Sequence, residues 1–418
     1  GNLRDKMGNA LGVSGIYQNG YTSVTTEFDV AGLEPGGPTT PETPEASAQV
    51  IARSRDDSPA VAKDAAGNYV VVWVAYGQTV GQTVDTARQG NIMAQAYDAN
   101  GKKIGGEFVV NQYVAGSQIN PDVAMDDNGN FVVVWSGQGQ DGANGTLDTT
   151  GIYYRRFRIL SDPDSISALD SYEQRANNYT KNIQNRPSVA MDPRGDFVIA
   201  WDGEGRTGNP TGKGKFDSYG VWVRRYSSLG QALGNQVLVN TRVTKSQEAP
   251  DVAMDGNGNF FVVWRSERQG SGAWSIYGQR YTWKTGARRG GETRLNSLVY
   301  GAKITPQVAM DNFGNSVVIW SGLRSDGYGT HVYKRQFRPN GAGIGSRETT
   351  VDTSASAGYL KQQASVSMSS DGKYFVVTWA SYAQDEAKLD PPRRSDGVYG
   401  HMFYNATPRN LKSTWTDY

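Results

Sequence analysis

Cysteine is absent from this chain, and histidine occurs only twice, at His331 and His401. The lack of cysteine excludes disulfides, zinc sites built on thiolates and cysteine nucleophiles. Two histidines leave little room for metal or acid–base chemistry that depends on imidazole. Both lie in or at the start of predicted strands, and no Gly-x-Ser-x-Gly elbow is present. We therefore interpret them as ordinary strand residues rather than members of a Ser–His–Asp site.

Charge of one sign and long apolar runs are lacking as well. The net charge is +1 over 418 residues, so no overall field favours nucleic acid or an anionic membrane as a partner. No apolar run approaches a membrane span, and no signal peptide is recognisable. Because the chain opens with Gly1, we interpret it as a mature or trimmed product. Its 51 glycines and 23 tyrosines favour many short strands joined by tight turns.

One sequence element recurs along the chain and ends each time in tryptophan. Its clearest form is PDVAMDDNGNFVVVW, and ASVSMSSDGKYFVVTW is a degenerate copy. The part before the aspartate predicts a short strand, and the Asp-x-x-Gly-Asn part predicts a hairpin turn. The unbroken apolar run that follows predicts a strand buried on both faces, as in radially packed sheets. We interpret the final tryptophans as core residues between blades. The six copies end at Trp73, Trp135, Trp201, Trp264, Trp320 and Trp379.

A third strand follows each copy, for example IYYRRF, and most copies add a fourth, for example ETRLN. Four strands in a unit of roughly 55–65 residues predict an all-β fold, a β-propeller. Six first strands favour six four-stranded blades, with seven blades or an open repeat array as alternatives. The predicted repeats are 58–120, 121–186, 187–249, 250–305, 306–363 and 364–418. The arginine pairs in the third strands are expected to form salt bridges across strands. These pairs are Arg155–Arg156 and Arg224–Arg225.

Residues 1–57 are predicted to form a partial blade and a proline-rich loop. GIYQNGY (15–21) resembles a third strand and TTEFDV (25–30) a fourth. The C-terminal tail shows no good fourth strand of its own. We therefore expect residues 25–30 to pair on the edge of the last blade and close the propeller.

The string P-x-V-A-M-D-x-x-G-N-F-V-V-V-W, followed by Y-G-Q-R-Y and E-x-x-V-N, resembles a repeat of large secreted or surface proteins of bacteria, planctomycetes among them. The resemblance covers nearly the whole chain from Ser58 onward. It implies a secreted, extracellular or cell-surface protein, and it carries no catalytic residues. Separately, we expect other surface proteins or glycans as partners, with a homo-oligomer as a further option.

The Asp-x-x-Gly-Asn turns raise the question of calcium, which takes about six to eight oxygen ligands. Most of these aspartates stand nearly alone, so hairpin capping is the favoured role and calcium the alternative. No other cofactor is expected. The best candidates for a metal site are Asp126, Asp127 and Asn128.

The loops between second and third strands hold the remaining candidates, because these loops commonly lie on the ligand face of a propeller. Exposed rings among polar residues are typical of sugar or protein contacts. The ligand-binding candidates are Trp274, Tyr76, Tyr328, Tyr382, Arg268 and Arg324. Glycoside hydrolysis would need paired carboxylates with arginines nearby. The loop charges are Asp141, Asp148, Asp202, Glu204, Asp217, Glu267, Asp326, Asp385, Asp396, Arg206, Arg265, Arg393 and Arg394.

From these observations we expect a non-catalytic extracellular or surface module for surface assembly, adhesion or glycan binding. One alternative is a carbohydrate-active propeller enzyme, a hydrolase or lyase, that uses loop carboxylates. Another is a self-assembling subunit of a surface layer or filament. Two carboxylates within about 10 Å of each other in a central pocket, flanked by arginines, would favour the enzyme.

Overall fold

The computed structural model contains strands and turns, with no α-helix among the residues it describes. These residues are 56–76, 79–80, 83–84, 89–140, 150–161, 164–180, 182–204, 219–267, 274–297, 303–323, 329–351, 360–382, 396–404 and 416–417. In this part of the chain no helix is long and apolar enough to span a membrane.

The strands form six successive antiparallel sheets, which we call blades 1 to 6. In chain order, β1 (Asp56–Lys63) and β2 (Tyr69–Tyr76) are followed by a separate two-stranded hairpin of β3 (Thr79–Val80) and β4 (Thr83–Val84), and then by β5 (Gly90–Tyr97) and β6 (Lys103–Val109). Blade 1 is the four-stranded sheet of β1, β2, β5 and β6. Blade 2 comprises β7 (Gln118–Met125), β8 (Asn130–Gln138), β9 (Thr150–Ser161) and an outer strand in two pieces, β10 (Asp164–Ala168) and β11 (Gln174–Arg175). Blade 3 comprises β12 (Gln184–Met191), β13 (Phe197–Glu204), β14 (Tyr219–Tyr226) and β15 (Val237–Leu238).

Blades 4 to 6 repeat the same order of strands, from innermost to outermost. Blade 4 comprises β16 (Gln247–Met254), β17 (Phe260–Glu267), β18 (Trp274–Tyr281) and β19 (Arg288–Arg294). Blade 5 comprises β20 (Lys303–Met310), β21 (Ser316–Leu323), β22 (Thr330–Phe337) and β23 (Gly343–Thr350). Blade 6 comprises β24 (Leu360–Met368), β25 (Tyr374–Tyr382), β26 (Asp396–Tyr404) and β27 (Thr416–Asp417). The six sheets form a β-propeller, which confirms the predicted fold class and blade number.

The apolar second strands are buried on both faces because each face packs against a different blade. On β8, Phe131, Val133 and Trp135 pack against blade 1, whereas Val132 and Val134 pack against blade 3. This two-sided burial explains why the run is unbroken rather than alternating. The tryptophans that end the six copies are all buried.

Third-strand arginines connect neighbouring blades. Arg155 Nη1 donates to the carbonyl of Val110 in the preceding blade, and Arg156 Nη1 donates to the carbonyl of Ser228 in the next. Arg156 also forms the expected cross-strand ion pair, with Asp170 at 2.6 Å. The other three arginines of the predicted pairs, Arg155, Arg224 and Arg225, bind backbone carbonyls instead. The expectation of salt bridges is therefore wrong for these three, because their guanidinium groups donate to backbone carbonyls of adjacent blades rather than to carboxylates.

His401 occupies the third-strand position that Arg155 holds in blade 2. Its Nδ1 lies 3.1 Å from the carbonyl oxygen of Val351 in the preceding blade, and its ring stacks on Phe403. His401 thus lies at the junction of blades 5 and 6, on a strand.

The outer edge of the last blade is occupied by β27, in which Asp417 pairs with Phe403 and Thr416 with Tyr404. Blade 6 therefore takes its fourth strand from the C-terminal tail. The expected pairing of residues 25–30, like the whole predicted partial blade up to residue 55, lies outside the described residues.

The innermost strands begin upstream of the repeated proline because a β-bulge lets the pairing continue across it. In β7 the register with β8 shifts between Ile119 and Asp122, and Asn120 inside the bulge has a φ of 53°. All six innermost strands carry this bulge. The residues with positive φ are Ser58, Asn120, Arg186, Ala249, Thr305 and Gln363. Bulges redirect side chains, and here they do so where the innermost strands begin.

Candidate functional site

The bulges of blades 3 and 4 bring ionisable side chains together where the inner strands begin. Arg186 is the bulge residue of β12, and Asp202 lies on the adjacent strand β13. Glu248 and Arg265 are register partners on β16 and β17. Tyr219 begins β14. We call these five residues, Arg186, Asp202, Tyr219, Glu248 and Arg265, the mouth cluster.

Arg186 bridges the two carboxylates of the mouth cluster. Its Nε donates to Asp202 Oδ2 over 2.7 Å, and its Nη2 donates to Glu248 Oε2 over 3.2 Å. Arg265 Nη2 donates to the same Glu248 oxygen over 2.7 Å. Since one planar guanidinium contacts both carboxylates, the two carboxyl groups lie close together, as the paired carboxyl groups of glycosidases do.

The environments of the two carboxylates differ. The Asp202 side chain is fully enclosed, whereas that of Glu248 is 14% exposed. Burial raises the pKa of Asp202 to about 6, although the charge of Arg186 opposes the shift. Burial also acts to raise the pKa of Glu248, but the hydrogen bond from Arg265 and the charge of Arg186 outweigh it, so this pKa lies below its ordinary value. Carboxyl groups whose pKa values are driven apart in this way can serve as an acid and a base.

Two aromatic rings lie against the guanidinium groups of the mouth cluster. The guanidinium carbon of Arg186 lies 5.9 Å from the ring centre of Tyr219, and that of Arg265 lies 4.7 Å from the ring centre of Trp274. Burial raises the pKa of Tyr219, and the charges of Glu204 and Asp202 add to the rise. These cation–π contacts hold both guanidinium groups in orientation. Trp274, a predicted ligand-binding residue, thus lies beside the cluster.

The other predicted ligand-binding residues do not come together at this site. Tyr76 ends β2 and packs, partly buried, against the core between blades 1 and 2. Tyr382 ends β25, but its side chain is not among those described. Tyr328, Arg268 and Arg324 lie outside the described residues. Ligand binding by these residues stays a prediction.

The proposed metal ligand Asp126 caps its own hairpin turn. Its Oδ1 accepts hydrogen bonds from the backbone N–H groups of Asn128 and Asn130, and its Oδ2 accepts one from Asn130 Nδ2 at 2.6 Å. Asp127 and Asn128 are exposed. Among the described residues, no group of three or more His, Cys, Asp or Glu side chains could hold a metal ion. Both oxygens of Asp126 are therefore used within the turn.

A second acidic group lies deeper, on the innermost strands of blades 2 to 4. Asp122 Oδ2 accepts a hydrogen bond from Val189 N, and Asp251 Oδ2 accepts one from Val308 N at 2.7 Å. Ser188 Oγ donates to Asp251 Oδ1, also at 2.7 Å. Each aspartate thereby pairs a backbone N–H on the free edge of the next blade. Burial raises the pKa of Asp251 to about 7, and the nearby charge of Asp122 contributes to the rise.

Sequence reasoning found only part of the mouth cluster. Asp202 and Arg265 were placed among the loop charges, but they lie on β13 and β17, because the second strands continue past the tryptophan. Arg186 and Glu248 lie on innermost strands rather than in the predicted loops, and Tyr219 begins a third strand. A usable signal existed for Arg186, which directly precedes the repeated proline, but the sequence does not reveal that this position is a bulge.

Comparison with known proteins gives a likeness of fold. No family model matches the chain, and no curated protein matches it in sequence. The α-L-arabinanase of Penicillium chrysogenum, solved with arabinobiose, is 16% identical with a TM-score of 0.50, covering 82% of this chain and 93% of that one. The α-L-arabinofuranosidase of Fusarium graminearum, solved with an iminosugar inhibitor, is 10% identical with a TM-score of 0.51, covering 82% and 92%.

These structures contradict the expectation of a non-catalytic scaffold or recognition module. The arabinanase and the arabinofuranosidase are glycoside hydrolases, which is the class of the carbohydrate-active alternative. The non-catalytic expectation is therefore wrong. The repeated residues form the framework of the blades. The mouth cluster consists of residues at positions where the copies differ, so the repeat pattern did not indicate it.

Proposed function

We propose that this protein is a glycoside hydrolase that cleaves a sugar polymer at the mouth cluster. The observation that carries this proposal is the bridging of Asp202 and Glu248 by the guanidinium of Arg186. A pair of close carboxyl groups with separated pKa values is what acid–base cleavage of a glycosidic bond requires. The likeness to an arabinanase and an arabinofuranosidase supports a carbohydrate as the substrate.

Each carboxyl group has a distinct role in this proposal. Glu248, ionised and partly exposed, acts as the base or nucleophile at the sugar ring. Asp202 acts as the acid that protonates the leaving oxygen. Its Oδ2 already accepts hydrogen bonds from Arg186 Nε and Ala249 N, so the transferable proton resides on Oδ1, a buried atom without a hydrogen-bond partner.

Substrate entry requires a side chain to move, because Asp202 is fully enclosed. Arg186 is 35% exposed and overlies the pair, so we expect its side chain to move when a sugar enters. Arg265 then keeps Glu248 ionised through its own hydrogen bond. We also propose that the protein acts outside the cell, since a polysaccharide substrate does not cross membranes.

The test is a comparison of wild-type protein with Glu248→Gln on a panel of polysaccharides, read as released reducing ends. Loss of the carboxylate is expected to lower the rate by about 10²- to 10⁴-fold. Glu107→Gln is the matched control, because Glu107 lies exposed on the outer strand β6 of blade 1. If wild type cleaves none of the polysaccharides, or if Glu248→Gln retains the full rate, the proposal is wrong.

A further inference from the structure

The six bulge residues share one backbone conformation but differ in their side chains. Their φ angles fall between 47° and 54°. Serine, asparagine, arginine, alanine, threonine and glutamine occupy the six positions, whereas the flanking Pro-x-Val-Ala-Met-Asp pattern changes little between copies. The framework thus fixes the direction of this side chain and leaves its chemistry free.

This conformation is costly, and every blade keeps it. Positive φ at a residue other than glycine costs about 1–3 kcal/mol, and a following proline restricts the backbone further. A proline follows the bulge residue in blades 1 to 5. Strain of this kind concentrates at binding sites, where it directs side chains toward a ligand.

Among the six bulge residues only Arg186 is charged. In blades 3 and 4 the bulges carry the mouth cluster, with its charges paired around Arg186. In blades 5 and 6 the bulge residues are Thr305 and Gln363, which are uncharged and exposed. Blades 5 and 6 follow blade 4 around the ring, so a polymer held at Glu248 and extending in that direction would meet these two side chains next.

We propose that Thr305 and Gln363 form subsites for the neutral, hydroxyl-rich part of a glycan chain whose cleaved bond lies at Glu248, an assignment that rests on the proposed function. A threonine hydroxyl and a glutamine amide each donate and accept hydrogen bonds, which matches sugar hydroxyls. Neither bulge side chain supplies the positive charge that a uronate would need for tight binding. The substrate class is therefore a neutral polysaccharide.

Alanine substitution tests these subsites without disturbing the backbone, because Ala249 adopts the same conformation at the equivalent position of blade 4. Loss of one hydrogen bond to a sugar is expected to weaken binding about two- to tenfold, and Thr305→Ala with Gln363→Ala about tenfold or more. The control is Phe313→Ala, an exposed residue on the turn at the other end of the same blade 5 hairpin.

Binding is measured by retardation in gels that contain neutral polysaccharides (arabinan, xylan, galactan, mannan) or polygalacturonate, and cleavage is measured separately. The proposal predicts retardation by a neutral polysaccharide that the double variant loses and Phe313→Ala keeps. If the double variant binds the neutral polysaccharide as tightly as wild type does, the subsite proposal is wrong. Retardation by polygalacturonate alone, or by no polymer, also overturns it. If the predicted pattern of binding is found but no polymer is cleaved, the subsites are supported and the hydrolase proposal is wrong. If the double variant cleaves a polysaccharide at the wild-type rate, the hydrolase proposal is supported and the subsites are wrong.

Discussion

The Nε atom of Arg186 lies 2.7 Å from Oδ2 of Asp202, an aspartate whose side chain is fully enclosed. Arg186 reaches this atom from a backbone position with a φ of 48°. Its Nη2 extends the link to Glu248 in the next blade. The bulge therefore connects a strained backbone position to the protonation of two carboxyl groups.

Replacing Arg186 with methionine should destabilise the fold more at pH 8 than at pH 5. Without the guanidinium, the buried Asp202 carboxylate loses its counter-charge, so its pKa rises above the present value of about 6. Ionisation at pH 8 then costs about 1–3 kcal/mol, less than for a fully buried pair because Arg186 is partly exposed. Urea unfolding at both pH values measures the difference.

The double variant Arg186→Met with Asp202→Asn is the control for that experiment. It lacks the buried charge, so the additional loss of stability at pH 8 should disappear. An equal loss at both pH values in the single variant would show that Arg186 contributes packing rather than charge.

Activity should fall as the pH rises through about 6. The proposed acid, Asp202, is protonated below that value because its pKa is raised by burial, while Glu248 stays ionised because its pKa lies below the ordinary value. A pH profile of kcat/KM should therefore show a descending limb near pH 6. Asp202→Asn should lower the rate and remove this limb; a limb that persists in the variant would assign the titration to another group.

Asp251→Asn should flatten the dependence of stability on pH. The pKa of Asp251 in the folded chain is about 7, against an ordinary value of 3.8. The folded state thus holds its proton more tightly, so wild type is most stable below about pH 4 with respect to this group and loses stability as the pH rises to 7. In the variant, the decrease in the free energy of unfolding over this pH range should be smaller than in wild type by on the order of 2 kcal/mol.

Thermal or urea unfolding between pH 5 and 8 checks the Asp251 prediction. An asparagine still accepts the hydrogen bond from Val308 N and can donate to Ser188, so the contacts are largely retained. Asp127→Asn, at an exposed turn, is the control for the loss of one carboxylate. Identical pH profiles for wild type and Asp251→Asn would contradict the prediction.

Gly195→Ala should destabilise the junction between blades 2 and 3. Gly195 has a φ of 92°, and a Cβ there would lie 3.0 Å from Asp126 Oδ2 of the preceding blade. Strain and crowding together should cost about 2–4 kcal/mol. Gly234→Ala is the matched control, since Gly234 has a φ of 113° but no atom within 4 Å of the added Cβ. A comparable loss in both variants, measured by urea unfolding, would show that the contact with Asp126 adds nothing.

Local patterns predicted most of the fold. The turn residues and the two-sided apolar runs, such as Phe131–Trp135, act within one hairpin and depend little on the rest of the chain. The fourth strand of blade 6 was not predicted, because β27 spans only Thr416–Asp417 and has too few residues for a pattern.

The sequence by itself determined the repeated strands and the hairpins and favoured six blades, because these follow from short-range periodicity that recurs in every copy. Only the tertiary structure decided the mouth cluster. Arg186, Asp202 and Glu248 belong to two blades, and the bulge and the packing of those blades bring them together. Their protonation likewise depends on burial and on charges from distant positions, which no local pattern records.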